Sequence, residues 1–250
     1  MTNYFRNKTL FYSRLLLYIV NTLIIMSFYF AVGKEENINH FYTNFSGFVF
    51  NTVNNFFING MYTAIYSIPA LKNMLKREFP TKVYSFTSFY IALIIYFIVQ
   101  TLIYSSVYTL PLYFSTYLKQ GGMNFALQFF CNCLNYFIGI SYGLLLSSIL
   151  PEKAIFPIVP WVFILFMVGS GYYRDNNTFP TWFKFLNCLS PYKYLIGINM
   201  LNQQNHNKII DNMIMTLGYD DNIITPVVIM IVYAVLVTYL GFKMLKKKFK

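Results

Sequence analysis

Side chains able to do covalent or acid–base chemistry are few in this sequence and far apart. His40 and His206 are separated by most of the chain, so they form no base-and-orienter pair with a nucleophile. Cys131, Cys133 and Cys188 show neither zinc spacing nor a disulfide framework, no metal site is expected, and Cys188 reads as a free thiol, the alternative being a bridge to the same residue of a second copy. No G-x-x-x-x-G-K-[ST] motif occurs, so this chain has no P-loop to cradle ATP phosphates. What remains is recognition chemistry of two kinds. Between Ile68 and Tyr84 stand Lys72, Lys76, Arg77 and Lys82 against one carboxylate, Glu78, a polar surface suited to an acidic or mixed groove on a partner. Between Asn44 and Ile68 stand Asn44, Asn51, Asn54, Asn55 and Asn59 among phenylalanines, and amides at membrane depth require partners or water.

The elements that position these groups follow from composition. The 250 residues are 57% hydrophobic, 21% aromatic and only 11% charged, which excludes an ordinary soluble domain. The apolar runs are long enough for helices and too long for the short alternating segments of a β-barrel. The expected fold is an all-α membrane protein, one transmembrane domain over 1–250 with six spans at about 11–32, 44–68, 86–110, 123–150, 154–173 and 225–242. Span 1, with Arg6 and Lys8 before it and Ala31 and Gly33 at its end, has features of a cleavable signal peptide, but its length favours a retained anchor. Pro157 and Pro160 fall in the first turns of span 5, where missing amide donors cost least. Between spans 5 and 6, apolar pieces such as 182–189 and 192–201 are too short to cross and too greasy for a free loop, so short re-entrant helices are expected.

The net charge of +11 has a sidedness that decides its meaning. Placed on this topology, thirteen bases and two acids fall on the side of the 68–84 loop, and six bases face six acids on the other. The whole excess is therefore positive-inside bias, with both termini cytoplasmic and anionic membrane lipid as its partner, and nucleic acid is excluded. Spans carry no carboxylate pair, which disfavours a proton-driven carrier. Asn176-Asn177-Thr178 is the better placed of two glycosylation sequons on the outer side; Asn44-Phe45-Ser46 abuts span 2.

Three stretches taken together carry a family resemblance. They are Pro69, Lys72, Arg77-Glu78 and Tyr84 with Tyr90 in and after the central loop; Gly47 with Phe50 at the entry to span 2; and Ser170-Gly171, Pro180-Thr181-Trp182, Ser190-Pro191-Tyr192-Lys193-Tyr194 and Asn202 in the outer segment. The combination resembles the membrane domain of ATP-binding cassette transporters of subfamily G, the White family, within the type 2 exporter class, over nearly the whole chain. One departure is Leu71, where the family has a Glu paired with the following base.

The resemblance implies a type 2 exporter membrane-domain fold. It makes the central loop (Pro69, Lys72, Lys76, Arg77, Glu78, Tyr84) a coupling helix that docks on a nucleotide-binding domain. It implies a homodimer or heterodimer with a second membrane domain, whose spans 2 and 5 line a cavity with Asn55, Phe57, Ile58, Met167, Tyr172 and Tyr173. The outer re-entrant motif is Pro180, Trp182, Ser190, Pro191 and Tyr194. Family members carry the ATPase ahead of span 1. Here ATP and Mg are expected on a separate or missing nucleotide-binding domain, with no cofactor on this chain and no enzyme activity of its own. The function expected is the permease part of an exporter of lipid-like or amphipathic substrates; the alternative is a non-transporting membrane scaffold that keeps the fold.

Overall fold

The computed structural model describes residues 8–78, 84–204, 208–219 and 222–248. Among them the chain is helical, in the order α1 (Lys8–Phe28), α2 (Ile38–Glu78), α3 (Phe86–Ser115), α4 (Gly122–Ile149), α5 (Glu152–Val168), α6 (Lys184–Leu189), α7 (Pro191–Asn202), α8 (Lys208–Leu217) and α9 (Ile224–Lys248). Two short 3-10 turns, Val32–Lys34 and Asn176–Thr178, lie in the connections.

Among the described residues four segments are long and apolar enough to cross a membrane: Tyr12–Lys34, Phe86–Ser115, Gly122–Ile149 and Ile224–Lys247. The chain is an integral, multi-pass membrane protein. Two of the six expected spans fall short of that standard for different reasons. Helix α2 is diluted by its asparagines, and α5 has 17 residues.

Three of the boundaries that differ from the sequence expectation bear on the loop and cap ends. Helix α2 does not stop at residue 68 but runs 41 residues through Pro69 to Glu78, so the first half of the central loop is a continuation of span 2. Pro69 removes one backbone donor yet keeps a helical φ, which a long, otherwise bonded helix tolerates. Helix α3 continues through Pro111 to Ser115, closed at its end by Thr116, whose N–H and Oγ1 both donate to the Leu112 carbonyl at 3.1 and 2.9 Å. Helix α5 ends at Val168, not 173, because the chain turns at Gly171 with φ 83°, a left-handed conformation open to glycine.

The bundle is built around α2 and α4, whose backbones touch through glycine. A Cβ on Gly60 would lie 2.3 Å from the Tyr136 carbonyl oxygen, and one on Gly139 2.3 Å from that of Phe57. Lipid is as apolar as a leucine side chain, so helix association here rests on close packing, which small residues permit. Helices α1 and α3 pack side by side on this pair and run parallel: Tyr18 stacks on Tyr104, with ring centroids 4.3 Å apart, and at their far ends Ala31 N–H donates to the Ser115 carbonyl at 2.9 Å. Helix α9 packs along α4, with Ser141 Oγ 2.8 Å from Thr238 Oγ1 and the Tyr142 and Tyr233 hydroxyls hydrogen-bonded, and meets α3 where the Tyr90 hydroxyl donates to Thr238 O at 2.8 Å. The short helices α6, α7 and α8 cap one end, called here the cap end. The other, carrying Glu78, Tyr84 and Lys246, is the loop end.

Candidate functional site

Helix α2 has two unlike sides. At about 100° per residue, Asn51, Asn55, Ile58, Asn59, Tyr62 and Tyr66 share one side. They are half-buried, except Tyr66, which is exposed. Opposite them Val53, Phe56, Phe57, Met61 and Ala64 are fully buried. The amide stripe is internally bonded: Asn55 Nδ2 donates to Asn51 Oδ1 at 2.8 Å, and Asn59 Nδ2 to the Asn55 carbonyl at 2.8 Å. It is also braced at both borders. Asn21 Nδ2 on α1 donates to Asn55 Oδ1 at 2.7 Å, and the Tyr192 hydroxyl on α7 donates to Asn54 Oδ1 at 3.1 Å. The amides are thus satisfied where they meet protein and leave a polar, half-open face between α1 and α7.

The three cavity candidates on α2 separate accordingly. Asn55 and Ile58 lie on the open face. Phe57 projects about 120° away from Asn51 and packs against Tyr142, Phe166 and Tyr192 at ring distances of 5.7, 5.9 and 5.2 Å. It braces the face from behind. Of the candidates at the end of α5, Tyr172 stacks on Phe50 of α2 with centroids 4.2 Å apart, and Tyr173 stands edge-on to Phe50 at 5.6 Å, largely exposed. Met167 is half-buried, and its carbonyl accepts from Ser170 Oγ at 2.6 Å. Asn55 and Ile58 thus share the open face with Asn51, Asn59 and Tyr62, which the four-residue spacing of the asparagines foreshadows, whereas Tyr172 and Tyr173 meet α2 at Phe50, about 140° from Asn55 around the helix.

The cap is fastened to the end of α5 by side chains bonding its last carbonyls, which a helix otherwise leaves unsatisfied. Ser190 Oγ donates to Phe166 O at 2.7 Å, Asn187 Nδ2 to Gly169 O at 3.0 Å, and the Tyr219 hydroxyl to Ser170 O at 3.1 Å. Burial holds the Tyr219 hydroxyl well above its ordinary pKa, so it stays a donor. Lys193 Nζ donates to Asn187 Oδ1 at 2.9 Å. Of the predicted cap motif, Ser190 and Pro191 are buried at the start of α7, and Pro180 O accepts from Phe183 N at 2.9 Å. Tyr194 donates to Cys188 O at 3.1 Å, while Trp182 is 78% exposed.

Asn176, the better placed of the two sequon asparagines, belongs to this fastening. It is buried, its Nδ2 donates to Leu217 O at 2.8 Å, and its Oδ1 accepts from Asn187 at 2.7 Å. It also lies against Gly171, where a Cβ would come 2.4 Å from its Oδ1. A glycan on that nitrogen would have to displace both bonds.

At the loop end, the Tyr84 hydroxyl donates to Glu78 Oε2 at 2.8 Å across the connection from α2 to α3. Burial and the adjacent carboxylate raise Tyr84 to about 12. The side chains of Pro69, Lys72, Lys76 and Arg77 lie outside the described residues, although their backbone belongs to α2.

Residues 1–203 match the family described as ABC-2 type transporter, and the chain belongs to that family. It is a membrane domain of ATP-binding cassette transporters, the kind of domain that works with nucleotide-binding domains. It is also similar to Protein brown of Drosophila melanogaster, 24% identical over 159 residues, covering 61% of this chain and 24% of that protein. That likeness fits the G subfamily; the chain spans about a quarter of that relative's length.

Proposed function

We propose that this chain is the permease subunit of an ATP-driven exporter that moves lipid-like or amphipathic molecules, working as a homodimer or heterodimer. The observation that carries this is the two-sided α2: its apolar back is packed against α4, while its front presents Asn51, Asn55, Ile58, Asn59 and Tyr62 half-open. Amides and aromatic rings on one wall give an amphipathic molecule apolar contact and a few hydrogen bonds. A second copy facing this wall would turn it into a cavity. Helix α5 is suited to the same side, with Phe156, Trp161, Ile164 and Leu165 exposed.

On this reading α2 and α5 also cross the bilayer, giving six spans, because the asparagines of α2 face a cavity and not lipid. Helices α6–α8 sit in the outer leaflet, and the loop end, with Lys243, Lys246 and Lys247, is cytoplasmic along with both termini. A partner nucleotide-binding domain binds ATP and Mg and docks on the Ile68–Tyr84 region. Its closure shifts the membrane dimer between inward and outward access.

Purification of the tagged chain from its native membrane in mild detergent, followed by identification of what accompanies it and an ATPase assay, tests the reading. A stoichiometric P-loop subunit with hydrolysis is expected; a chain that comes alone, without nucleotide binding, refutes it. In the active complex, Glu78→Lys should uncouple hydrolysis from transport, and undiminished transport would refute the docking assignment.

A further inference from the structure

The charges within the four apolar segments are Arg14, Lys34, Lys243, Lys246 and Lys247. Among them only Arg14 has a nitrogen, Nη1, that is enclosed by protein and left without a hydrogen-bond partner among the described residues. It is the third residue of its segment, so it lies at the depth where hydrocarbon gives way to headgroups on the loop-end side. A guanidinium stays charged at every physiological pH, and one enclosed at a membrane boundary requires an anion or water.

Two observations place Arg14 beside α2. Arg14 and Asn21 are seven residues apart and so share one side of α1 within about 20°, and Asn21 Nδ2 donates to Asn55 Oδ1 of α2. The Arg14 charge also acts on Tyr136 of α4, whose hydroxyl lies 2.8 Å from Thr63 Oγ1 on α2. Thr63 stands one turn beyond Asn59, the last amide of the open face, and about 40° around the helix from it. The guanidinium is therefore at the loop-end margin of the amide wall, on the border that α1 and α2 share. The one carboxylate of α2, Glu78, is about 22 Å further along the helix and accepts from Tyr84.

The setting selects the anion. A guanidinium fork matches the oxygens of a phosphate, and at this depth the phosphates are those of lipids. Lys243, Lys246 and Lys247 of α9 draw anionic lipid to the same leaflet. Free phosphate has the same oxygens but no chain, whereas the open face runs on from Tyr62 to Asn51 for about 16 Å, close to the roughly 15 Å of hydrocarbon in one leaflet. Asn59 stands one turn in from the guanidinium, at the level of a lipid's ester linkages.

We propose that Arg14 binds the phosphate of an anionic phospholipid from the loop-end leaflet, whose chain lies along the open face of α2. The site rests on the reading of that face as the substrate wall and gives the substrate its class, a lipid with a negatively charged phosphate head. Arg14 selects by charge at the entrance, before the amides and rings meet the chain.

Native mass spectrometry tests this on the full chain in detergent, purified with whatever accompanies it and titrated with phosphatidylglycerol or a diacylglycerol of the same chains. Phosphatidylglycerol should bind several-fold more tightly. Arg14→Gln should abolish that preference, and Arg14→Lys, which keeps the charge without the fork, should retain part of it. Lys243→Gln, which removes a base whose Nζ lies 4.8 Å from the Tyr239 ring on α9, should leave it unchanged. A preference that survives Arg14→Gln, or that Lys243→Gln lowers equally, would overturn the site. Where Arg14→Gln does not fold, Arg14→Lys decides, and an unchanged preference overturns the site. Binding is read without nucleotide, so its failure is distinct from failure to find an ATPase partner. In the active complex ATP should release the bound phosphatidylglycerol, and lipid that stays through turnover would overturn its role as substrate.

Discussion

The α2–α4 contact sets a sharp test at Gly139. A Cβ there would lie 2.3 Å from the Phe57 carbonyl oxygen and 3.1 Å from the Met61 nitrogen, both backbone atoms that cannot swing aside, whereas ordinary contact begins at 3.4 Å. Gly139→Ala therefore forces the two helices apart by about 1 Å. Overpacking of this kind costs about 1–3 kcal/mol. Against it stands the gain in helix propensity of alanine over glycine, up to about 1 kcal/mol. Relative to a Gly→Ala change without the clash, which has the same propensity gain, the full cost of about 1–3 kcal/mol remains, and at about 2–4 °C per kcal/mol for a chain of this size it lowers Tm by about 2–12 °C. Gly122→Ala on the same helix is the control, because a Cβ there meets nothing within 4 Å. Thermal unfolding of the two purified variants in the same detergent, followed by intrinsic fluorescence, separates them. Equal Tm values for Gly139→Ala and Gly122→Ala would refute the argument that backbone contact through glycine holds α2 against α4.

Two further outcomes follow from the cap and the loop end. Endoglycosidase treatment of protein from a glycosylating host should leave its mobility unchanged at the Asn176 sequon; a shift that Asn176→Gln abolishes would show that the Asn176–Leu217 and Asn176–Asn187 bonds are not formed. At the loop end, Tyr84 is raised in the folded protein, so the stabilisation from its bond to Glu78 is fully present below the ordinary value of 10.0 and is lost as pH rises toward about 12. The difference between ultraviolet tyrosinate titrations of the native chain and Tyr84→Phe should show one group with a midpoint near 12, and a midpoint near 10.0 would refute the bond.

Some of this architecture is legible in the residues and some is not, for reasons that differ. Helices α1, α3, α4 and α9 follow from apolar length, because a span has a minimum length that composition reveals. The polar side of α2 is legible in the four-residue spacing of Asn51, Asn55 and Asn59. Phe57 is not: inside a membrane a phenylalanine in the core and one facing a cavity or lipid have the same hydropathy, so only helical register assigns its side. Pro69 reads as punctuation, yet α2 passes through it. Asn176 satisfies an acceptor motif three residues long, while its fate is decided by Leu217, 41 positions away. Arg14 counts among the charges flanking a span in a tally of sidedness, but it lies within α1, and one of its nitrogens is enclosed by protein. Local motifs and charge tallies do not register such contacts.

The length of α2 has a mechanical consequence. As one helix of 41 residues it is about 61 Å long, with Glu78 at one tip and the asparagine stripe further along the same rod. A single helix converts a small rotation at one tip into travel at the other: tilting it by about 5° about one end sweeps the far end through about 5 Å. Force applied at the loop end reaches the amide wall through Pro69, the one interior position without a backbone donor and so the softest point between them. The fulcrum is the glycine contact with α4, which lies between the two ends and fixes how that travel is shared.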